Sequence, residues 1–486
     1  MKNKSNVSVD LSILIPFLLG MLYILFPSNN NSNDAYAYAG SIKAGDLFSY
    51  HHLLFNAFGY LWVKLIDIQN VLNLVCIINA LFAVGCLYCL RSILLYRLNK
   101  NSVGYILLLV GASYGFMRFS TDGETYIIPL FFSLLASYSL LYYRSPFVVS
   151  LLAAIACLFH QIHFFWWLGL GLYFLNSNVC RNRKISIIYY MLGASIVPLV
   201  YWIAFSLNPA DCDNIIQYIF HDYIFIKGVG FSLKHALTLT PISFIRTFIQ
   251  IHGYMYPLLV KHPWIIIGIL LSLACFISTI KRCNGVITQS IQASSEIMYF
   301  TKCHLYILIL QFVFAFYSNG NAEFMVMLPF VLSICILFRY DIDYKFVRNA
   351  GLGLLFWNMT VGILPYHLID INPHKVLVEY ICKHPQNVYY LTDLNQIKNM
   401  TYYYRPDLDL KLHGNNVNLE HVITNEQPIY TDLFYNHIFL SRGKMVENKD
   451  ESEKLIEYST PSDTLNYDLG EWYISTIKAP LVKEKK

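Results

Sequence analysis

Residues 71–90 read VLNLVCIINALFAVGCLYCL, twenty consecutive positions without a charged side chain. About twenty apolar residues is the length a helix needs to cross the hydrocarbon core of a bilayer, so this stretch decides the fold class before any motif is weighed. The rest of the chain agrees with it. Of 486 residues, 56% are hydrophobic and only 13% charged, against roughly 25% charged in an ordinary soluble domain.

Working outward, about eleven apolar runs read as spans. They are Leu11–Pro27, Val71–Leu90, Val103–Met117, Tyr126–Tyr143, Pro146–His160, His163–Leu175, Ile185–Leu207, Trp264–Ile280, His304–Tyr317, Phe324–Phe338 and Ala350–Pro365. The shorter ones must extend into polar flanks to cross. The expected fold is therefore an α-helical polytopic membrane protein over residues 1–365. From about Tyr366 the texture turns polar: NVYYLTD, KLHG and PIYTDLF are β-like, and HKVLVEYICKH and LNQIKNMTYYY are helical. Residues 366–486 are thus expected to form a small α/β domain outside the membrane, ending in a charged tail of low order.

Orientation follows from Lys and Arg, which short cytoplasmic loops retain. Alternate connections carry Lys2 and Lys4; Arg91, Arg97 and Lys100; Arg144; Arg181, Arg183 and Lys184; Lys281, Arg282 and Lys302; Arg339, Lys345 and Arg348. Those face the cytoplasm on this reading, and the C-terminus and the loops 28–70, 118–125 and 208–263 lie outside. In the last of these, DNIIQYIFHDYIF and PISFIRTFIQIHGYMY have the spacing of interfacial helices. AYAYAG offers an A-x-A-like cleavage site, but it lies well beyond the apolar stretch that ends near Phe26, so the first run reads as a retained span. The eleven cysteines show neither disulfide nor zinc spacing and read as small packing residues. A net charge of +5, spread along the chain, suits loop bias and not nucleic acid.

This topology gathers the polar chemistry on one side. Asp34, His51 and His52 fall in the first outer loop; Arg118, Asp122 and Glu124 in the second; His160 and His163 in the third; Glu323 in the fifth. Ionisable residues near spans tend to line a cavity, because lipid exposure is costly. Each also has an ordinary reading: Asp34 as a solvated turn residue after NNNSN, Asp122-Gly123 as a turn, Glu124 as a helix cap, and the histidines as interfacial anchors. Lys227, Lys234, His235 and Arg246 in the long loop read equally as lipid-headgroup contacts.

The residues also carry a resemblance. SNDAYAYAGSIKAGDLFSYHHLLFN (Ser32–Asn56), with its outer-loop Asp, a Lys-x-Gly step and HHLLFNAFGYL, resembles the first loop of the GT-C superfamily. These are polytopic glycosyltransferases using polyprenyl-phosphate sugar donors, among them the protein O-mannosyltransferase and aminoarabinose-transferase kinds. RFSTDGETYIIPLFFSLLASY resembles their second acidic loop, and FHQIHFFWW the His-bearing turn after it. Where many members have two adjacent acids, this chain has Asn33-Asp34.

The resemblance implies inverting transfer of a sugar to a lipid, glycan or protein acceptor. Asp34 would act as base, with Asp122 and Glu124 as further catalytic carboxylates. His51, His52, Arg118, Lys227, Lys234, His235 and Arg246 would bind the donor phosphate. His160, His163 and Glu323 would line the cavity. The expected compartment is a bacterial inner membrane with the loops and C-terminal domain in the periplasm, although a eukaryotic endomembrane would satisfy the same topology. No metal ligand set stands out; clustered carboxylates and histidines are compatible with a divalent cation, though a monophosphate donor gives little reason for one. Two other readings stand beside it: a polymerase or ligase of lipid-linked glycans, and a membrane transporter.

Overall fold

A computed structural model describes residues 9–180, 182–209, 212–221, 230–251, 254–283, 286–290, 294–414, 427–433 and 459–477. They fall into two compact units: Met1–Pro27, Gly45–Gln250 and Ile267–Ile363 in one, and Ser28–Ala44, Ile251–Ile266 and Leu364–Lys486 in the other.

The first unit is helical. Three of its helices, Val71–Leu95, Arg183–Leu207 and Ser295–Tyr317, are long and apolar enough to cross a membrane. Their ends are specified locally: the Asn70 side chain accepts from Asn73 N at 3.1 Å, and Ser294 caps the third helix with Glu296 in its first turn. The expected count of about eleven is not reached by full-length helices. Leu11–Leu25, Ile127–Tyr142, Pro146–Phe159, Ile265–Ile280 and Ala322–Leu337 are apolar but shorter. Hydropathy registers apolar runs, whereas helix length depends on where the backbone turns. His160, for example, is extended (φ −159°, ψ 119°) and ends Pro146–Phe159 inside an apolar run.

Lys100–Gly111 and Tyr114–Ser120 are bent by 74° and could together make a fourth span. Such a break frees carbonyls that lipid cannot satisfy. Side chains take them up: Ser113 Oγ donates to Val110 O (2.6 Å), Tyr23 Oη to Gly111 O (2.7 Å) and Asn358 Nδ2 to Ala112 O (2.8 Å). The bend is thus a built feature. Around it Leu87, Leu107, Leu130, Trp166, Ile307 and Phe330 belong to one buried core. Within the long 208–263 loop, Leu233–Phe248 is a 16-residue helix that buries Ala236, Thr240, Ser243 and Thr247 on one stripe. A short antiparallel pair, β1 (Ile287–Ser290) and β2 (Tyr340–Ile342), also belongs to this unit.

The second unit carries the small sheet expected near the C-terminus. β3 (Val388–Leu391) pairs in parallel with β4 (Lys411–Gly414) and β5 (Ile429–Thr431), and β5 is followed by the antiparallel pair β7 (Gly470–Ile477) and β6 (Ser459–Tyr467). NVYYLTD, KLHG and PIYTDLF supply β3, β4 and β5, and the two expected helices are His374–Lys383 and Leu394–Tyr404. The sheet ends in the β6–β7 hairpin; the charged end of the chain, expected to be of low order, lies outside the described residues. The hairpin turn at Asp468-Leu469 joins β6 to β7, whose Trp472 and Ile474 are buried.

The same unit includes Asn33–Ala44, a helix packed on Leu394–Tyr404. A Cβ on Gly40 would come within 2.6 Å of the Tyr402 ring, so glycine permits the close approach. Asn399 Nδ2 donates to Asn33 Oδ1 at 2.9 Å, and the Tyr36 ring meets Tyr403 edge-on at 6.0 Å. Asn30 binds back as well, donating to Ile369 O at 2.7 Å and accepting from Ile371 N at 3.1 Å. Ser32–Asn56 is therefore divided between the two units.

Candidate functional site

In the first unit the 74° bend delivers Tyr114–Ser120 and, at its end, the loop Thr121–Thr125. Arg118 and Asp122 form an ion pair at 2.7 Å, with the aspartate side chain 1% exposed. Asp122 Oδ1 also accepts from Gly123 N at 2.7 Å. The loop is held from below by Asn79, whose Nδ2 donates to Asp122 O (2.8 Å) and Glu124 O (2.6 Å). Glu124 is buried beside them.

From this loop a polar chain runs across the unit. Tyr126 Oη donates to Glu323 Oε2 at 3.0 Å, and Asn321 both donates to that oxygen (3.2 Å) and accepts from Glu323 N (3.2 Å). The Tyr126 ring lies 5.0 Å from that of His160, which meets His52 edge-on at 4.4 Å; His52 in turn meets His51 at 6.1 Å. His163 lies 6.4 Å beyond His160 and bonds Ser133 Oγ at 2.7 Å through Nδ1. The loop carrying the histidine pair is pinned to the third turn by Leu54 N to Leu158 O (3.0 Å) and Gln161 N to His51 O (3.2 Å).

Two features set the protonation of this cluster. Ile162 N donates to His160 Nδ1 at 3.3 Å, so the neutral ring carries its proton on Nε2. That N–H is buried without a hydrogen-bond partner among the described residues. Desolvation of the His52 ring, with the neighbouring His51 adding to the effect, lowers its pKa to about 3. At neutral pH it is an uncharged donor or acceptor and not a cation.

The structure thus brings together His51, His52, Arg118, Asp122, Glu124, His160, His163 and Glu323. Arg246 lies on Leu233–Phe248, which packs against both Tyr114–Ser120 and Ala322–Met325; its Nε is buried with no partner among the described residues. Lys234 and His235, on the first turns of the same helix, are exposed. Lys227 lies outside the described residues. Asp34 belongs to the other unit, exposed in the first turn of Asn33–Ala44. Sequence reasoning missed Asn79 and Ser133 as supports; the signal was a polar residue inside an otherwise apolar helix. Among the described residues no group of three or more His, Cys, Asp or Glu is arranged to hold a metal ion.

No family model matches the chain, and no curated protein matches it. Among solved structures it is similar to ArnT from Cupriavidus metallidurans, in the apo state and bound to undecaprenyl phosphate. Each aligns with a TM-score of 0.48 and 9% identity, covering 96% of this chain and 97% of the other.

Proposed function

We propose that the chain is an integral membrane glycosyltransferase of GT-C type that moves a sugar from a polyprenyl-phosphate donor to an acceptor hydroxyl. The observation that carries this reading is a pair of buried N–H donors, His160 Nε2 and Arg246 Nε, without partners among the described residues. Burying a donor unpaired costs about 1–3 kcal/mol. Such donors fit an oxygen-rich ligand that supplies the missing acceptors, and a lipid phosphate or a sugar supplies several.

In this reading Arg118, Arg246, His51, His160 and the neutral His52 hold the donor phosphate, which leaves with the electron pair of the glycosidic bond. Glu323, Asp122 and Glu124 face the positive charge that develops on the sugar ring. Asp34 takes the proton of the acceptor hydroxyl as that oxygen bonds the anomeric carbon with inversion. Its place in the first turn of a helix favours negative charge there. Lys227, Lys234 and His235 act as outer cations for the headgroup. The remaining apolar helices, short as several are, complete about eleven membrane segments, with residues 1–365 as the catalytic part and 366–486 as a domain outside. The loops 28–70, 118–125 and 208–263 then face the periplasm of a bacterial inner membrane.

The test is incubation of the purified full chain with undecaprenyl-phosphate sugars labelled in the sugar, with lipid, glycan and peptide acceptors in parallel. The proposal expects label to leave the lipid and appear on one acceptor class; a chain that leaves every donor intact contradicts it.

A further inference from the structure

The surface of the first unit carries an apolar groove of about 140 Å³ between the helix Phe164–Leu175 and the first half of Arg183–Leu207. Trp167, Gly171 and Leu175 line one side, and Ile187, Tyr190 and Met191 the other. It is separate from the His160 cluster. The two helices run antiparallel along the groove, which gives it a defined direction: Leu175 and Ile187 mark one end, Trp167 and Met191 the other. From Trp167 to Leu175 the helix rises about 12 Å. Gly171 is what lets the walls approach, since a Cβ there would stand 3.0 Å from the Tyr190 ring.

At the Leu175–Ile187 end sit Arg183 and Lys184, one turn before Ile187 and both exposed. Neither makes an ion pair with a described residue. They also occupy the first turn of a helix, where the macrodipole disfavours positive charge. Arg144, by contrast, is held by Glu296 at 2.6 Å. The face beyond the groove is apolar and open, with Ile185, Ile188 and Leu192 all more than half exposed. Only 22% of the apolar window of Arg183–Leu207 is buried within the protein. A surface of that kind requires lipid.

We infer that the groove binds one anionic glycerophospholipid, its acyl chain lying along Trp167, Gly171 and Tyr190 and its phosphate on Arg183 and Lys184. The two cations supply charge complementarity at the one end where a headgroup would emerge, and the groove continues from there as a slot for a single chain. The site is independent of the transfer reaction and requires only that the protein sits in a bilayer.

The experiment uses the full chain in mixed micelles and reads quenching of tryptophan fluorescence by lipids brominated in the acyl chain. The Trp167 contribution is isolated by difference against W167F. Dibromo-phosphatidylglycerol is expected to reach half-quenching at about tenfold lower mole fraction than dibromo-phosphatidylcholine, as two cations near a lipid phosphate warrant. R183Q/K184Q is expected to abolish that preference while leaving quenching by phosphatidylcholine and the thermal midpoint unchanged. Equal quenching by both lipids in the wild type would mean unspecific solvation and overturns the inference. Retention of the preference in R183Q/K184Q, or stronger quenching by a brominated prenyl phosphate than by phosphatidylglycerol, overturns it as well.

Discussion

The hydroxyl of Tyr126 donates to Glu323 Oε2 at 3.0 Å, joining residues 197 positions apart and tying the start of one apolar helix to the short turn before another. A hydrogen bond to a carboxylate contributes about 1.5–3 kcal/mol. Y126F should therefore lower the thermal midpoint of the purified protein measurably. In the transfer assay it should reduce turnover more than donor affinity, because Glu323 loses its fixed position and not its charge. Unchanged turnover would remove Glu323 from the site.

Asn79 supports the acidic loop without touching any substrate in this account. N79L leaves two buried carbonyls, Asp122 O and Glu124 O, without the donor that reaches both. Each hydrogen bond lost is expected to cost about 0.5–1.5 kcal/mol. Thermal unfolding in detergent should show the loss even in the absence of any donor lipid.

Asn79 also illustrates what the sequence conceals. The motif RFSTDGETY drew attention to Arg118, Asp122 and Glu124 because charges stand out against apolar surroundings, and the structure does gather them with His52, His160 and Glu323. An asparagine inside an apolar run gives a weaker signal, since its partners lie more than forty residues away. The division of Ser32–Asn56 was illegible for the same reason: the pairings of Asn33 with Asn399 and of Tyr36 with Tyr403 follow from tertiary packing. Strands β3, β4 and β5 were legible because β-branched and aromatic residues cluster between turn residues. The β6–β7 hairpin was overlooked because β6 is mostly exposed and polar, and only its partner carries the buried Trp472 and Ile474.

His52 gives a pH dependence with a definite sign. Its folded pKa is lowered to about 3, below the unfolded value of about 6.5. The unfolded chain therefore binds the proton first as pH falls. This contribution to stability is complete above about pH 6.5 and declines by about 1.4 kcal/mol per pH unit below it, until the folded site titrates near pH 3. Thermal midpoints between pH 8 and pH 5 should drop more steeply for the wild type than for H52F. Parallel profiles would show that His52 is not held neutral by the fold.

Gly320 stands in the left-handed region at φ 74°, and a Cβ there would come within 2.5 Å of Thr240 N. G320A strains the turn before Glu323 and pushes against the backbone of Leu233–Phe248, the helix that carries Arg246. A destabilisation of about 1–3 kcal/mol is expected, together with a loss of transfer activity. A fully active G320A protein would show that this helix and turn need not keep their register.

The central claim is tested most directly by measuring release of undecaprenyl phosphate from a labelled sugar donor by the wild type, H160A and D34N, in the presence of the acceptor class found active. Steady release is expected of the wild type. H160A should be at least about tenfold slower, since a buried donor hydrogen bond is lost. D34N should bind donor as the wild type does but transfer at least about a hundredfold more slowly, as loss of a general base requires. Wild-type rates in both variants would contradict it.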